Sequence, residues 1–240
     1  MMGLTLSRRM RIALIVVFAL GFLIFLPMRI ALGMTGLERL GVAAREVQGT
    51  VWSGAIDRLM LGTTSLGSVH AGLSPVPLLV GRARFDIWRR NGAPDDLAGA
   101  MTVGFGRIGI DDVTGAVPLG QTFAPLPVSS FVMEDVSAWF TGDRCGHAEG
   151  RVRAQMAGQF PGLNLSQGLS GAASCDGEAL LLPLVSQSGL EKVNLRIWRS
   201  GRYVAEMHVE TADPTLAEAL ARAGFADAGG AHVLKVEGTL

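Results

Sequence analysis

Lysine is nearly missing from this sequence, with only Lys192 and Lys235 among 21 basic residues. There is one tyrosine, there are two cysteines, and no acidic residue occurs in the first 32 positions of the 240. Each shortage excludes something. Two cysteines without a CxxC pair exclude zinc fingers and ribbons. No HExxH, GxSxG or GxxxxGK[ST] string occurs, which excludes the common zinc-protease, hydrolase-elbow and P-loop sites. The histidines, His70, His147, His208 and His232, are scattered singly. Asp95-Asp96 and Asp111-Asp112 are adjacent acids, and adjacency on a strand sends side chains to opposite faces, so they read as turn residues. No catalytic residue, metal or cofactor is expected.

Charge is scarce too, at 18% against a usual ~25%. The formal net charge of zero hides an asymmetry. Arg8, Arg9, Arg11 and Arg29 lie in the acid-free start, so 17 basic and 21 acidic residues remain beyond it, a net of −4. A mildly acidic body is a poor partner for nucleic acid. The hydrophobic fraction is 49% and mean hydropathy +0.36, high for a soluble enzyme and low for a multi-span transporter.

The long apolar run is Ile12 to Leu26, uncharged and extended by Met28 and by Ile30 to Leu32. At 1.5 Å per residue, ~17 helical residues reach about 25 Å, near the minimum for a span. Arginines before the run place the N-terminus in the cytoplasm. The expected division is a cytoplasmic tail at 1–11, a transmembrane anchor at 12–32 and a periplasmic domain at 33–240. A cleavable leader ending at Ala31-Leu32-Gly33 is the alternative, and both readings export the remainder of the chain. Outside the cytoplasm, Cys145 and Cys175 are most simply one disulfide. A metal set of Cys145, His147 and Cys175 is the other reading, and it lacks a fourth ligand.

After the anchor the pattern becomes short alternating runs punctuated by glycine and proline, the signal of antiparallel strands. Candidate strands are 42–48, 50–61, 65–73, 82–88, 98–105, 107–113, 150–156, 169–174, 177–182 and 232–240. A hairpin turns at Ser200-Gly201, with Val193, Leu195 and Ile197 facing Tyr203, Ala205, Met207 and Val209. A bulge at Gly106 would reconcile the opposite parities of 101–105 and 108–110. Two short helices are predicted. One covers 128–140. The other is capped by Asp213, starts at Pro214, carries a stripe of Leu216, Ala219, Leu220 and Ala223, and ends at Gly224 with Phe225 beyond. Gln121–Pro127 reads as a linker between halves at 37–119 and 129–240. The fold class is mainly β: one N-terminal transmembrane helix, then a curved, largely antiparallel sheet or incomplete barrel. Gly104-Phe105-Gly106-Arg107-Ile108-Gly109 matches GxGxxG, but strand and turn succeed it where a dinucleotide site needs a helix.

The most distinctive string is Gly49-Thr50-Val51-Trp52-Ser53-Gly54. Glycines flanking a tryptophan let two strand backbones approach closely, and Trp52 alone could be a core residue. The string resembles the signature of the N component of the type II (general) secretion pathway. The likeness continues in order through Leu73-Ser74-Pro75-Val76-Pro77-Leu78-Leu79, although Ala71 stands where that family has a tryptophan. It continues through Asp111 to Pro118, similar to a mid-domain strand ending in a glycine turn. Cys145-Gly146, Cys175-Asp176-Gly177, the helix 216–224 and the ending Val236 to Leu240 complete it. The resemblance implies an accessory, non-enzymatic inner-membrane component supporting export of folded proteins across the outer membrane. Its implied partners are inner-membrane platform proteins and the secretin, and Gly49, Trp52 and Gly54 are its motif residues. Glycine-flanked VWSG strings also occur in AsmA-like envelope proteins, which implies the alternative of lipid bound or transferred in an apolar β-groove. For contact with partners, the free edges of the first and last strands are the candidates.

Overall fold

A computed structural model describes residues 7–30, 42–61, 64–90, 92, 96–157, 165 and 167–240. Asp95 of the first acidic pair lies outside them. Helix α1 spans Arg8–Ile24 and is capped by Ser7, whose Oγ accepts from the Met10 amide. Strands β1 (Val42–Thr50), β2 (Ser53–Leu61) and β3 (Thr64–Ser74) come next. A one-turn helix α2 (Pro75–Leu78) leads into β4 (Ala83–Arg89), β5 (Leu97–Gly104) and β6 (Arg107–Pro118). Then come β7 (Val128–Thr141), β8 (Arg144–Met156), β9 (Leu169–Ala172), β10 (Ser174–Asp176), β11 (Ala179–Ser186), β12 (Glu191–Trp198) and β13 (Arg202–Glu210). Helix α3 (Pro214–Arg222), β14 (Ala226–Asp227) and β15 (Ala231–Thr239) close the chain.

The strands form one open antiparallel sheet in the order β1 to β9, β11, β12, β13, β15, β14, with β10 paired to β11. This is the expected antiparallel meander. Because strands succeed one another directly, alternate turns fall at opposite rims. One rim carries the β1–β2, β3–β4, β5–β6, β7–β8, β10–β11 and β12–β13 turns. Its turns are stitched together: the Gly142 amide donates to Gly106 O at 3.0 Å, and Arg199 Nη1 donates to Gly142 O at 3.2 Å. The chain leaving α1 joins this same rim, where Val51 N donates to Leu26 O at 2.9 Å and Pro27 bridges Thr50.

Several expectations are corrected. The segment 128–140 is strand β7, not a helix. Its register shifts beside Val128, between Glu134 and Ser137, and beside Trp139, and Asp135 has φ +50°. The first two shifts each insert a residue into β7, and the third inserts Gly146 into β8; with the extra residues in β7, buried positions such as Val128 and Phe131 fall three apart and imitate a helical period. Gly106 is no bulge: Phe105 and Gly106 have φ +47° and +73° and form a two-residue turn between Gly104 and Arg107. Gly115 lies inside β6 rather than in a turn. Gln121–Pro127 does not run free between halves. Phe123 and Leu126 are buried, and Phe123 packs 5.8 Å from Phe131 on β7 and 4.7 Å, edge on, from Tyr203 on β13. β7 and β13 stand several strands apart in the sheet, so one loop touching both means that the sheet curls over it. Tyr203 donates its hydroxyl to Thr122 O, and burial pushes its pKa up.

The anchor also differs from expectation. Helix α1 stops after 17 residues at Ile24, and no helix among the described residues is long and apolar enough to cross a membrane. Pro27 explains the stop: it has no N–H, and it disfavours helical backbone in the residue before it. Other elements agree with the sequence. The Val193–Val209 hairpin buries Val193, Leu195, Tyr203, Ala205, Met207 and Val209. Helix α3 has Asp213 Oδ1 accepting from Thr215 N at 2.8 Å, buries Leu216 and Leu220, and turns at Gly224 with φ +95°. The amide of Phe225 then donates to Leu220 O at 3.0 Å.

Candidate functional site

The glycine-tryptophan string is the tip of the β1–β2 hairpin. Thr50 pairs with Ser53 and Gly49 with Gly54, so Val51 and Trp52 form the two-residue turn. Both glycines are required by contact. Gly49 has φ +92°, and a Cβ there would lie 2.6 Å from Ser53 O. A Cβ on Gly54 would lie 2.3 Å from Met28 Sδ and 2.7 Å from Gln48 O. Met28 is 1% exposed and forms a small core with Ile56, Val69 and Ala71, with Val47 and Ile87 against it. Ala71, the departure from the family pattern, is thus a wall of the socket that holds Met28.

Three polypeptide segments meet here. Val51 N donates to Leu26 O, and Leu73 N donates to Val51 O at 2.8 Å. Trp52 is half-buried, and its carbonyl lies over Gly72, where a Cβ would approach to 2.5 Å. The hairpin tip is therefore a clasp between the end of α1 and the end of β3. Met28 is the residue that sequence reasoning missed, since it reads as one more apolar residue of the anchor. The signal was Pro27 before it.

Beside the clasp a polar chain crosses four strands. Ser74 donates to Asp86, and Arg84 donates from Nε to Asp86 at 2.9 Å and from Nη1 to Asp111 at 3.4 Å. Thr102 also donates to Asp111. Asp112 instead shares Ser137, whose Oγ accepts from the Asp112 amide at 2.9 Å. The adjacent acids thus turn to different partners, inside β6 rather than in a turn. Both carboxylates of this ladder, Asp86 and Asp111, are matched by donors, which suits a structural role.

Cys145 and Cys175 form a disulfide with Cα atoms 5.5 Å apart, fastening β8 to β10. With both sulfurs bonded to each other, neither is available as a metal ligand. His147 stacks on Trp139 at 4.3 Å between centroids, with Nε2 3.2 Å from Glu149 Oε1. No group of three potential metal ligands occurs among the described residues. The GxGxxG string is a hairpin. A Cβ on Gly109 would lie 2.4 Å from Ala138 O, so that glycine serves a close strand contact.

A family model described as type II secretion system (T2SS), protein N matches residues 40–235. Comparison with curated proteins and with solved structures gives no match. The matched stretch runs from just before β1 into β15 and includes the β1–β2 hairpin tip and both cysteines, but not Leu26, Pro27 and Met28. By a match over most of its length, the chain belongs to the type II secretion system protein N family.

Proposed function

We propose that the protein is a membrane-tethered interaction module of the type II secretion apparatus. Helix α1 lodges in the inner membrane with Arg8, Arg9 and Arg11 at the cytoplasmic headgroups, and the sheet stands in the periplasm. The observation that carries this reading is the family match together with the clasp, which fixes the apolar helix to one rim of the sheet. Side chains along α1 are exposed, including Ile12, Leu14, Ile15, Val17, Phe18 and Phe22. Lipid would relieve that exposure.

Partner contact is assigned to the β1 edge. Among the described residues β1 is the end strand of the sheet order, bridged on its outer side at Thr50 by Pro27, so the rest of that side offers groups for an incoming strand. The β15 edge is less available, since β14 covers it at His232 and Val233. The lipid-groove alternative is less favoured. The apolar face of the C-terminal strands is filled by the chain's own Leu119, Phe123, Leu126, Leu216, Leu220 and Phe225.

The test is in-cell photo-crosslinking from exposed Glu46 and Gln48 on β1, with recovered proteins identified by mass spectrometry. Adducts with inner-membrane platform proteins or the secretin are expected. Recovery of neither, in cells whose secretion requires the protein, would remove the edge-pairing assignment.

A further inference from the structure

The rim that receives α1 also carries an exposed apolar patch that the fold does not use. Val76, Leu79 and Val80, in and after α2, are 73%, 86% and 61% exposed. Phe105, at the tip of the β5–β6 turn, is 78% exposed. The patch is continuous. A Cβ on Gly81 would lie 2.5 Å from Phe105 Cζ, so the ring rests on the end of the β3–β4 connection. On the other side, Leu73 is hydrogen-bonded to Val51 in the clasp. Backbone hydrogen bonds thus tie the end of α1 to the β1–β2 turn and that turn to the end of β3, from which α2 and the patch follow, although Val51 itself is buried. Arg82 and Arg107, both exposed, flank it.

We propose that this rim is a lipid-docking surface, with Val76, Leu79, Val80 and Phe105 entering the outer edge of the hydrocarbon and Arg82 and Arg107 meeting anionic headgroups. The proposal rests on the reading of α1 as membrane-inserted. Two features select lipid as the occupant. The helix ends at the same rim as the patch, so whatever solvates Phe25 at its end (75% exposed) is adjacent to the rim. Arginines beside apolar side chains also complement an anionic lipid surface. The length of α1 adds a reason. Seventeen residues rise about 25 Å, short of a ~30 Å hydrocarbon core, and such mismatch draws flanking apolar groups inward. Of the acids at this rim's turns, Asp143 is held by Arg199 at 3.6 Å and Asp176 by Arg196 at 2.8 Å, while Glu178 lies several strands away in the β10–β11 turn.

The experiment uses the full chain reconstituted in vesicles of phosphatidylethanolamine and phosphatidylglycerol. A photoreactive side chain is placed singly at Phe18 in α1, at Leu79 or Phe105 on the rim, or at exposed Gln187 on the opposite rim. Phospholipid adducts at 79 and 105, absent at 187, are expected. Their yield should fall when phosphatidylglycerol is omitted, and by about fivefold for each of Arg82→Ala and Arg107→Ala. Adducts at 18 without adducts at 79 or 105 would overturn the docking surface and leave the anchor standing. Absence at 18 as well would overturn both. Protein dimer adducts at 79 in place of lipid would overturn it in favour of self-association.

Discussion

Replacing Gly54 with alanine should loosen the attachment of α1 to the sheet without disturbing the C-terminal strands. The added Cβ would stand 2.3 Å from Met28 Sδ and 2.7 Å from Gln48 O. Carbon and sulfur normally meet no closer than about 3.5–4 Å, so Met28 must leave its socket or the hairpin must open. Overpacking of this kind costs about 1–3 kcal/mol. Met28→Ala should cost about 2–5 kcal/mol by leaving a cavity against Ile56, Val69 and Ala71. The double variant should cost less than the sum, by about 1 kcal/mol, since the clash with sulfur is gone while that with Gln48 O remains. Hydrogen exchange on the detergent-solubilised full chain reads this locally. The amides of Val51 and Leu73, which bond to Leu26 and Val51, should exchange faster in Gly54→Ala, while those of 191–210 keep their rates. Unchanged exchange at both amides, or strict additivity in urea midpoints, would refute the account of the clasp.

The rest of the molecule makes three further outcomes testable. Reducing Cys145–Cys175, or replacing both by alanine, should cost about 3–4 kcal/mol for a separation of 30 residues, read as a lowered urea midpoint. Tyr203→Phe should cost about 1–3 kcal/mol by leaving Thr122 O without its donor. Burial raises the folded-state pKa of Tyr203, so the fold keeps the proton longer than the unfolded chain. Wild-type stability should therefore hold below about pH 10 and fall above it, and Tyr203→Phe should flatten that alkaline fall. Gly171→Ala should be strongly destabilising, because its Cβ would lie 2.0 Å from Pro183 O between β9 and β11; an unchanged urea midpoint would contradict that contact.

Local chemistry determined much of this protein from the sequence alone. Asp213, Pro214 and Gly224 specify α3 through capping, a preset φ and a left-handed stop, none of which needs a distant partner. Period-two alternation is equally local, and it located β11 to β13, β15 and most strands before β7. The order of short motifs pointed to the family. Tertiary structure decided what depends on contact between remote segments. Bulges in β7 exist because neighbouring strands must stay in register across them, and they erased the alternation that would have marked a strand. Phe123 and Leu126 read as linker because nothing local says that the sheet curls around them. Met28 read as anchor because its socket is built by Gly54, Ile56, Val69 and Ala71, distant in the chain. Those glycines are letters in a motif until folding sets a sulfur against one of them. Only then does the need for glycine become a matter of distance.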